Sequence, residues 1–331
     1  MWLRGGGADQ GGLPRPAHYQ SKGGISQVAI PNSAKTKDQP RPEEARRGHE
    51  EPASWVNEVA GLVSPPDVCI KVFDLIESHN ASAHTIGAVI SRDPNLTLRL
   101  LKIVNSALYN FSRKIDTVSR AIAVVGISEL YSMVIAITAV KSFSYIPHNV
   151  VNMDTFWRHS LYTAINARML ARRCNVLHPE RMFVAGLLHD VGSLILYHRA
   201  PQTAKELLIR TEGDEQALHT AEIESFGFSH ADLGALLMKL WRLPDALQEA
   251  VACHHRPDSA ETNPREAAII HLANALANHT EIGAFCEMPM TELQVNEEAW
   301  GLLDLSPETL DAEALLEEAG VQFADMISIF Y

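Results

Sequence analysis

The sequence predicts an all-α protein: many helices in two helical subdomains behind a disordered N-terminal tail. Three observations carry this. Apolar residues recur at helical spacing from Ser54 onward, side chains that start helices stand ahead of those stretches, and no convincing alternating strand series appears.

Residues 1–52 come first and differ from the rest. Gly5-Gly6-Gly7, Gly11-Gly12 and Gly23-Gly24, with interspersed prolines, interrupt any periodicity, and few large apolar residues offset the entropy of ordering. A disordered tail is expected; an N-terminus extended by a misplaced start codon would have the same composition.

A first subsection of helices is expected over 53–149. Ser82 precedes an amphipathic stretch to Ser91, and Asp93-Pro94 supplies an N-cap and a first-turn proline for the stripe Leu96, Leu100, Leu101, Val104 and Leu108. Thr117 opens a helix through Ala121, Ile122 and Val125 that Gly126 ends, and Ser128 is expected to cap Leu130 to Phe143. Pro147 marks the boundary to a second subdomain over 150–285. There Asp154 opens a helix through Phe156, Trp157, Leu161, Ile165 and Leu170. The run Met182 to Leu196 is apolar on nearly every face and predicts one buried helix. Ser229 is the expected cap of Ala231 to Trp241, Pro244 restarts a helix ending near His254-His255, and Arg265 to Ala277 forms another. A C-terminal extension, 286–331, is expected to pack on the core through a helix started by Ser306-Pro307-Glu308.

With 331 residues, 46% hydrophobic and 21% charged, the chain has the composition of a soluble globular protein. A net charge of -12 argues against general nucleic-acid binding. Cys69, Cys174, Cys253 and Cys286 are scattered, which suits neither a close-spaced zinc site nor a disulfide framework and points to a reducing cytoplasm. No apolar run approaches the roughly 18 residues of a membrane span, and no secretory h-region is seen.

The chemistry centres on His189 and Asp190, side by side in the middle of the apolar run. A lone carboxylate there is costly unless it is neutralised, paired or metal-bound. His159, His230, His254, His255 and His271 are the available imidazoles. Imidazole with carboxylate suits Zn, Fe or Mn, and six groups, His159, His189, Asp190, His230, His254 and His255, are enough for two ions. The alternative stays open at this point: Asp190 bonded to a neighbouring His or Arg in a purely structural cluster, with His254-His255 placed against a helix dipole and His230 covering a helix end. Glu222 could add a carboxylate to this set but is expected on a solvated face, and His271 in the core or on its flank.

Several motifs resemble those of the HDOD domain family. They are Ser91-Arg92-Asp93-Pro94, Leu96-Thr97, Arg99-Leu100-Leu101, Asn105-Ser106-Ala107 with Tyr109, Phe156-Trp157-Arg158-His159-Ser160, Gly186-Leu187-Leu188-His189-Asp190-Val191-Gly192, Phe226-Gly227 with His230, Gly234-Ala235, Trp241 with Leu243-Pro244, and His254-His255. They occur in order over about residues 54–280. The resemblance implies a bacterial signalling or regulatory module, related in its second half to HD and HD-GYP phosphohydrolases. It also implies protein signalling partners, with no nucleic acid or membrane. Carried onto this chain, His159, His189 and Asp190 match the first ligands of the HD metal site, and His230, His254 and His255 match the further histidines of the two-metal site. One or two divalent ions (Fe, Mn or Zn) are therefore implied. Three departures weaken the implied hydrolysis. Asn274 stands at the closing aspartate, Ser193 at a phosphate-binding lysine, and Arg256-Pro257-Asp258 at the Gly-Tyr-Pro segment. The expectation is a regulatory module without efficient catalysis; the alternative is a metal-dependent phosphodiesterase acting on a nucleotide or cyclic dinucleotide.

Overall fold

Short polar side chains fix where several of the helices begin. In the computed structural model, which describes residues 51–60, 67–78, 81–107, 109, 111–143, 150–285 and 289–330, these helices are α1 (Pro52–Ala60), α2 (Asp67–Glu77), α3 (Ala83–Ile90), α4 (Pro94–Val104), α5 (Val118–Val125), α6 (Ile127–Phe143), α7 (Met153–Arg173), α8 (Pro179–Leu188), α9 (Val191–Arg199), α10 (Pro201–Thr211), α11 (Glu215–Phe226), α12 (His230–Leu240), α13 (Asp245–Ala252), α14 (Pro264–Asn278), α15 (Glu297–Leu303) and α16 (Ala312–Phe330). No strand occurs among the described residues. The expected tail up to residue 50, the boundary at Pro147, Leu108 and Cys286 lie outside the described residues.

Ser82 and Thr85 form a reciprocal capping box on α3, Asp93 Oδ1 accepts from Asn95 N and Leu96 N at the start of α4, and Ser229 with Asp232 caps α12. Thr117 caps α5 and Gly126, at φ 101°, ends it in a conformation that favours glycine. Three expected caps differ. Asn152, not Asp154, caps α7 by accepting from Asp154 N at 2.9 Å. Ser128 lies inside α6, which begins at Ile127 directly after Gly126. The last helix starts at Ala312, where Asp311 Oδ1 accepts from Ala314 N, while Ser306 forms a separate turn with Thr309.

The largest correction concerns Met182 to Leu196. It is two helices, α8 and α9, with His189 and Asp190 in the turn between them. Apolar content made this segment buried, as expected, but could not reveal the break. Two tertiary demands produce it. Asp190 must aim its two oxygens at different histidines (below). Gly192, in the first turn of α9, must also lie against the backbone of α12: a Cβ there would sit 2.0 Å from His230 O. Gly186 plays the matching role on α8, where a Cβ would sit 2.7 Å from Ala164 Cα of α7. Only glycine allows either approach.

The long helix α7 is the axis of the second half and packs against α8, α14 and α16. Helix α6 is buried on most of its surface and joins the earlier helices to α8. One continuous apolar core runs from Trp55 to Phe330, and residues 48–331 form one compact unit. A second, small cluster of Leu207, Leu218 and Ala221 holds α10 against α11. No helix among the described residues is long and apolar enough to cross a membrane.

Candidate metal centre

Four separate segments bring the six predicted ligands to one buried point. His159 comes from the second turn of α7, His189 and Asp190 from the α8–α9 break, His230 from the first residue of α12, and His254 and His255 from the turn after α13. All six are buried, and Asp190 is only 4% exposed.

Asp190 divides the cluster into two halves. Its Oδ2 lies 3.3 Å from His189 Nε2 and 3.6 Å from His159 Nε2. Its Oδ1 lies 3.4 Å from His230 Nε2 and 3.8 Å from His254 Nε2. His255 Nε2 joins the second half at 2.9 Å from His230 Nε2. Two groups therefore have convergent ligand atoms, His159/His189/Asp190 and His230/His254/His255.

The outer ring nitrogens set the tautomers. His159 Nδ1 donates to Gly283 O at 2.7 Å, His189 Nδ1 to Gly186 O at 2.8 Å, and His254 Nδ1 to Val251 O at 2.7 Å. A carbonyl only accepts, so in the neutral rings the proton sits on Nδ1 and the Nε2 lone pair points inward. His230 Nδ1 donates to Glu222 Oε2 at 2.6 Å, and the same oxygen accepts from His230 N. Glu222 is thus a buried partner of a candidate ligand, not a residue of a solvated face; the apolar packing of α11 gave no sign of this. His271 is a buried brace, as expected for the core: its Nδ1 donates to His254 O, and its Nε2 accepts from Asn296 N.

Burial and neighbouring charge pull the titrations apart. Burial raises the Asp190 pKa, but the surrounding histidines outweigh it and hold the carboxyl below its ordinary range. Burial lowers His254 and His255 well below the usual histidine value, and mutual repulsion among the rings adds to it. For His230 burial is outweighed by Glu222 and Asp190, which lift it to about 9. His219, stacked on His255 with ring centroids 4.5 Å apart, is pushed down by burial to about 4.

Two features test whether the groups fit a cation or only each other. A proton on His230 satisfies His230, Asp190 and Glu222, but it leaves His254 Nε2 and Glu215 Oε1 buried with no hydrogen-bond partner. Such orphaned groups are costly in a dry interior. Second, His159 Nε2, His189 Nε2 and Asp190 Oδ2 converge from separate segments, with the two ring nitrogens 3.3 Å apart, a spacing that a shared cation also satisfies. The donor set, imidazole with carboxylate, fits a divalent transition ion. Such an ion supplies polarisation of a phosphoryl oxygen and acidification of bound water.

Glu215, which sequence reasoning missed, stands beside this centre. It opens α11 after Gly213 (φ 87°) and the cap Asp214, local signals that mark a helix start and say nothing of His159. Its Oε1 lies 3.7 Å from His159 Nε2. Asn274, the degenerate position, turns its Nδ2 to Glu215 Oε2 and accepts from Asn278 Nδ2 on its oxygen. Ser193 is buried on α9. A cavity of about 360 Å³ opens beside the centre, with Glu215, His255 and Asn274 in its wall, and among its described lining residues there is no Lys or Arg.

The sequence matches the HDOD domain family signature over residues 62–257. An uncharacterised protein of Treponema pallidum (strain Nichols) is 24% identical over 230 residues, 69% of this chain; the chain spans 44% of that relative's length. Among solved structures, an HDOD domain protein of unknown function from Geobacter sulfurreducens has a TM-score of 0.62 at 22% identity, covering 84% of this chain and 96% of that one. A candidate phosphohydrolase from Shewanella amazonensis SB2B has a TM-score of 0.61 at 23% identity, covering 84% and 98%. A candidate signal transduction protein from Marinobacter aquaeolei VT8 has a TM-score of 0.61 at 18% identity, covering 83% and 60%. Identities this low carry the fold and leave the chemistry to the site itself. With the ordered motifs, the all-helical architecture and a signature match over more than half of its length, the chain belongs to the HDOD domain family.

Proposed function

We infer that this chain is a metal-holding signalling module that acts through protein contacts, without efficient phosphodiester hydrolysis. The observation that carries this is the contrast between a ligand-rich interior and a cation-free approach. His159, His189, His230, His254, His255 and Asp190 would hold the metal. The neighbouring cavity offers no Lys or Arg among its described lining residues and is edged by the carboxylates of Asp214, Glu215 and Glu292. A phosphate diester approaching there meets negative charge of its own sign, where phosphoryl transfer calls for positive groups. Ser193 supplies no charge either. The Marinobacter neighbour, named for a signalling role, is in keeping with this reading, and the Shewanella neighbour, named as a phosphohydrolase, with the second one below. Partners would be proteins, and the compartment the cytoplasm.

A second reading, a metal-dependent phosphodiesterase, is favoured by one feature: Asp190 presents one oxygen to each half of the cluster, as a bridge between two ions requires. The two readings separate in one experiment. Protein purified without chelator is assayed for bound Fe, Mn and Zn, then offered bis(p-nitrophenyl) phosphate with Mn or Fe added. Bound metal with turnover no higher than that of Asp190→Ala is expected. Sustained hydrolysis that Asp190→Ala abolishes would overturn the first reading in favour of the second.

A further inference from the structure

We propose that Glu215 is a metal ligand, the fourth protein donor of the first half of the cluster, delivered from the α10–α11 hairpin and aimed by Asn274. The inference rests on the metal-holding reading above and deepens it.

Ligand spacing and an orphaned oxygen single out Glu215. An ion with bonds of about 2.1 Å spaces its ligands about 3.4 Å apart in a tetrahedron and about 3.0 Å apart in an octahedron. His159 Nε2–His189 Nε2 and His189 Nε2–Asp190 Oδ2 are each 3.3 Å, and His159 Nε2–Asp190 Oδ2 is 3.6 Å. Glu215 Oε1 adds a further edge of 3.7 Å to His159 Nε2. This oxygen is buried and accepts no hydrogen bond, so nothing else in the described protein uses it. The other oxygen, Oε2, takes the amide N–H of Asn274. A carboxylate only accepts, so it must face the NH2 side of Asn274; the amide oxygen in turn accepts from Asn278. Position 274 therefore orients a carboxylate and supplies none.

Two consequences follow. Under this assignment Glu215 would be a fourth donor beside the convergent group His159, His189 and Asp190, and Asp190 Oδ1, 3.4 Å from His230 Nε2 and 3.8 Å from His254 Nε2, would be a fourth beside His230, His254 and His255. Four protein donors close a tetrahedral site, which distinguishes structural from catalytic zinc. The donor Glu215 also rides on a hairpin held together by its own small cluster of Leu207, Leu218 and Ala221. Metal occupancy would tie this hairpin to the body.

The test uses the full chain, stripped with chelator and titrated with Zn²⁺ and with Co²⁺ by equilibrium dialysis. Wild type is expected to hold two ions per chain, with an intense tetrahedral Co²⁺ visible spectrum. Glu215→Gln, nearly isosteric, is expected to weaken one of the two ions at least tenfold and to dim the Co²⁺ bands. Its melting temperature in EDTA should match wild type, which separates ligand loss from misfolding. Hydrogen exchange at residues 212–218 should slow on metal binding in wild type and not in Glu215→Gln. If Glu215→Gln keeps both ions at wild-type affinity and spectrum, this assignment falls while the metal-holding reading stands. If wild type itself takes up no ion, both fall.

Discussion

Two buried carboxylates in this molecule have met opposite fates. Glu129, on α6, is 9% exposed and accepts on Oε1 from Arg181 Nε at 3.0 Å and Nη2 at 2.5 Å, with His178 Nδ1 at 3.9 Å. Asp190 is as deeply placed but is ringed by imidazoles alone, at 3.3 to 3.8 Å. A guanidinium brings a permanent positive charge and several N–H donors, so the Glu129 pair is complete and pins α8 to α6. Imidazoles bring charge only where acids lift them, as at His230; His254 and His255 stay neutral and bring none. The Asp190 cluster is complete only when something positive enters it, either protons or metal ions. Which base surrounds a buried acid thus decides whether the acid is scaffold or site.

The comparison breaks most visibly at Asp190. Asp190→Asn keeps the shape and removes the shared charge, so both ions should be lost, a fall in affinity of more than about 100-fold measurable by metal analysis after dialysis. Next is Glu222→Leu, which removes the acceptor that orients His230. It should weaken one ion by about 10–100-fold and leave the other in place, which stepwise Zn²⁺ titration would resolve. Glu129→Gln sharpens the contrast from the other side. It should destabilise the fold by about 1–3 kcal/mol in urea unfolding while leaving metal stoichiometry untouched; a change in stoichiometry would show that the two acids are not independent.

The last effect is in pH. His219, His254 and His255 have folded-state pKa values below the unfolded value near 6.5, with His219 at about 4. Below pH 6.5 the unfolded chain takes up protons that the folded chain refuses, so metal-free protein should lose stability as pH falls from 6.5 toward 4. His230, raised to about 9, acts oppositely: its contribution is present below pH 6.5 and is lost as pH rises through 9. Urea midpoints in EDTA at pH 5, 7 and 9 would check both arms. Stability that rises on acidification from 6.5 to 5 would contradict the burial of these rings as neutral bases.

Much was legible without coordinates, and for a physical reason. Helix starts are written locally, so Ser82, Asp93, Thr117 and Ser229 could be identified from their own neighbours. The six candidate ligands were legible because histidine and aspartate are expensive in apolar surroundings, and expense marks purpose. Other features were decided only in three dimensions. The apolar run around His189 could not show that its helix breaks there, because the partners of Asp190 and the close approach of α12 to Gly192 come from distant segments. Glu215 and Glu222 look like ordinary residues of an amphipathic helix start and middle.

Local residue patterns were enough for the helical class, for the caps at Ser82, Asp93, Thr117 and Ser229, and for the identity of the groups that needed neutralising. Tertiary structure alone decided how they are shared: Asp190 facing both ways, carbonyls of residues 186, 251 and 283 choosing the tautomers, and Glu215 arriving beside His159. Local spacing encodes the geometry of one helix. The meeting of residues tens of positions apart depends on how helices pack, and packing is set by the whole core at once.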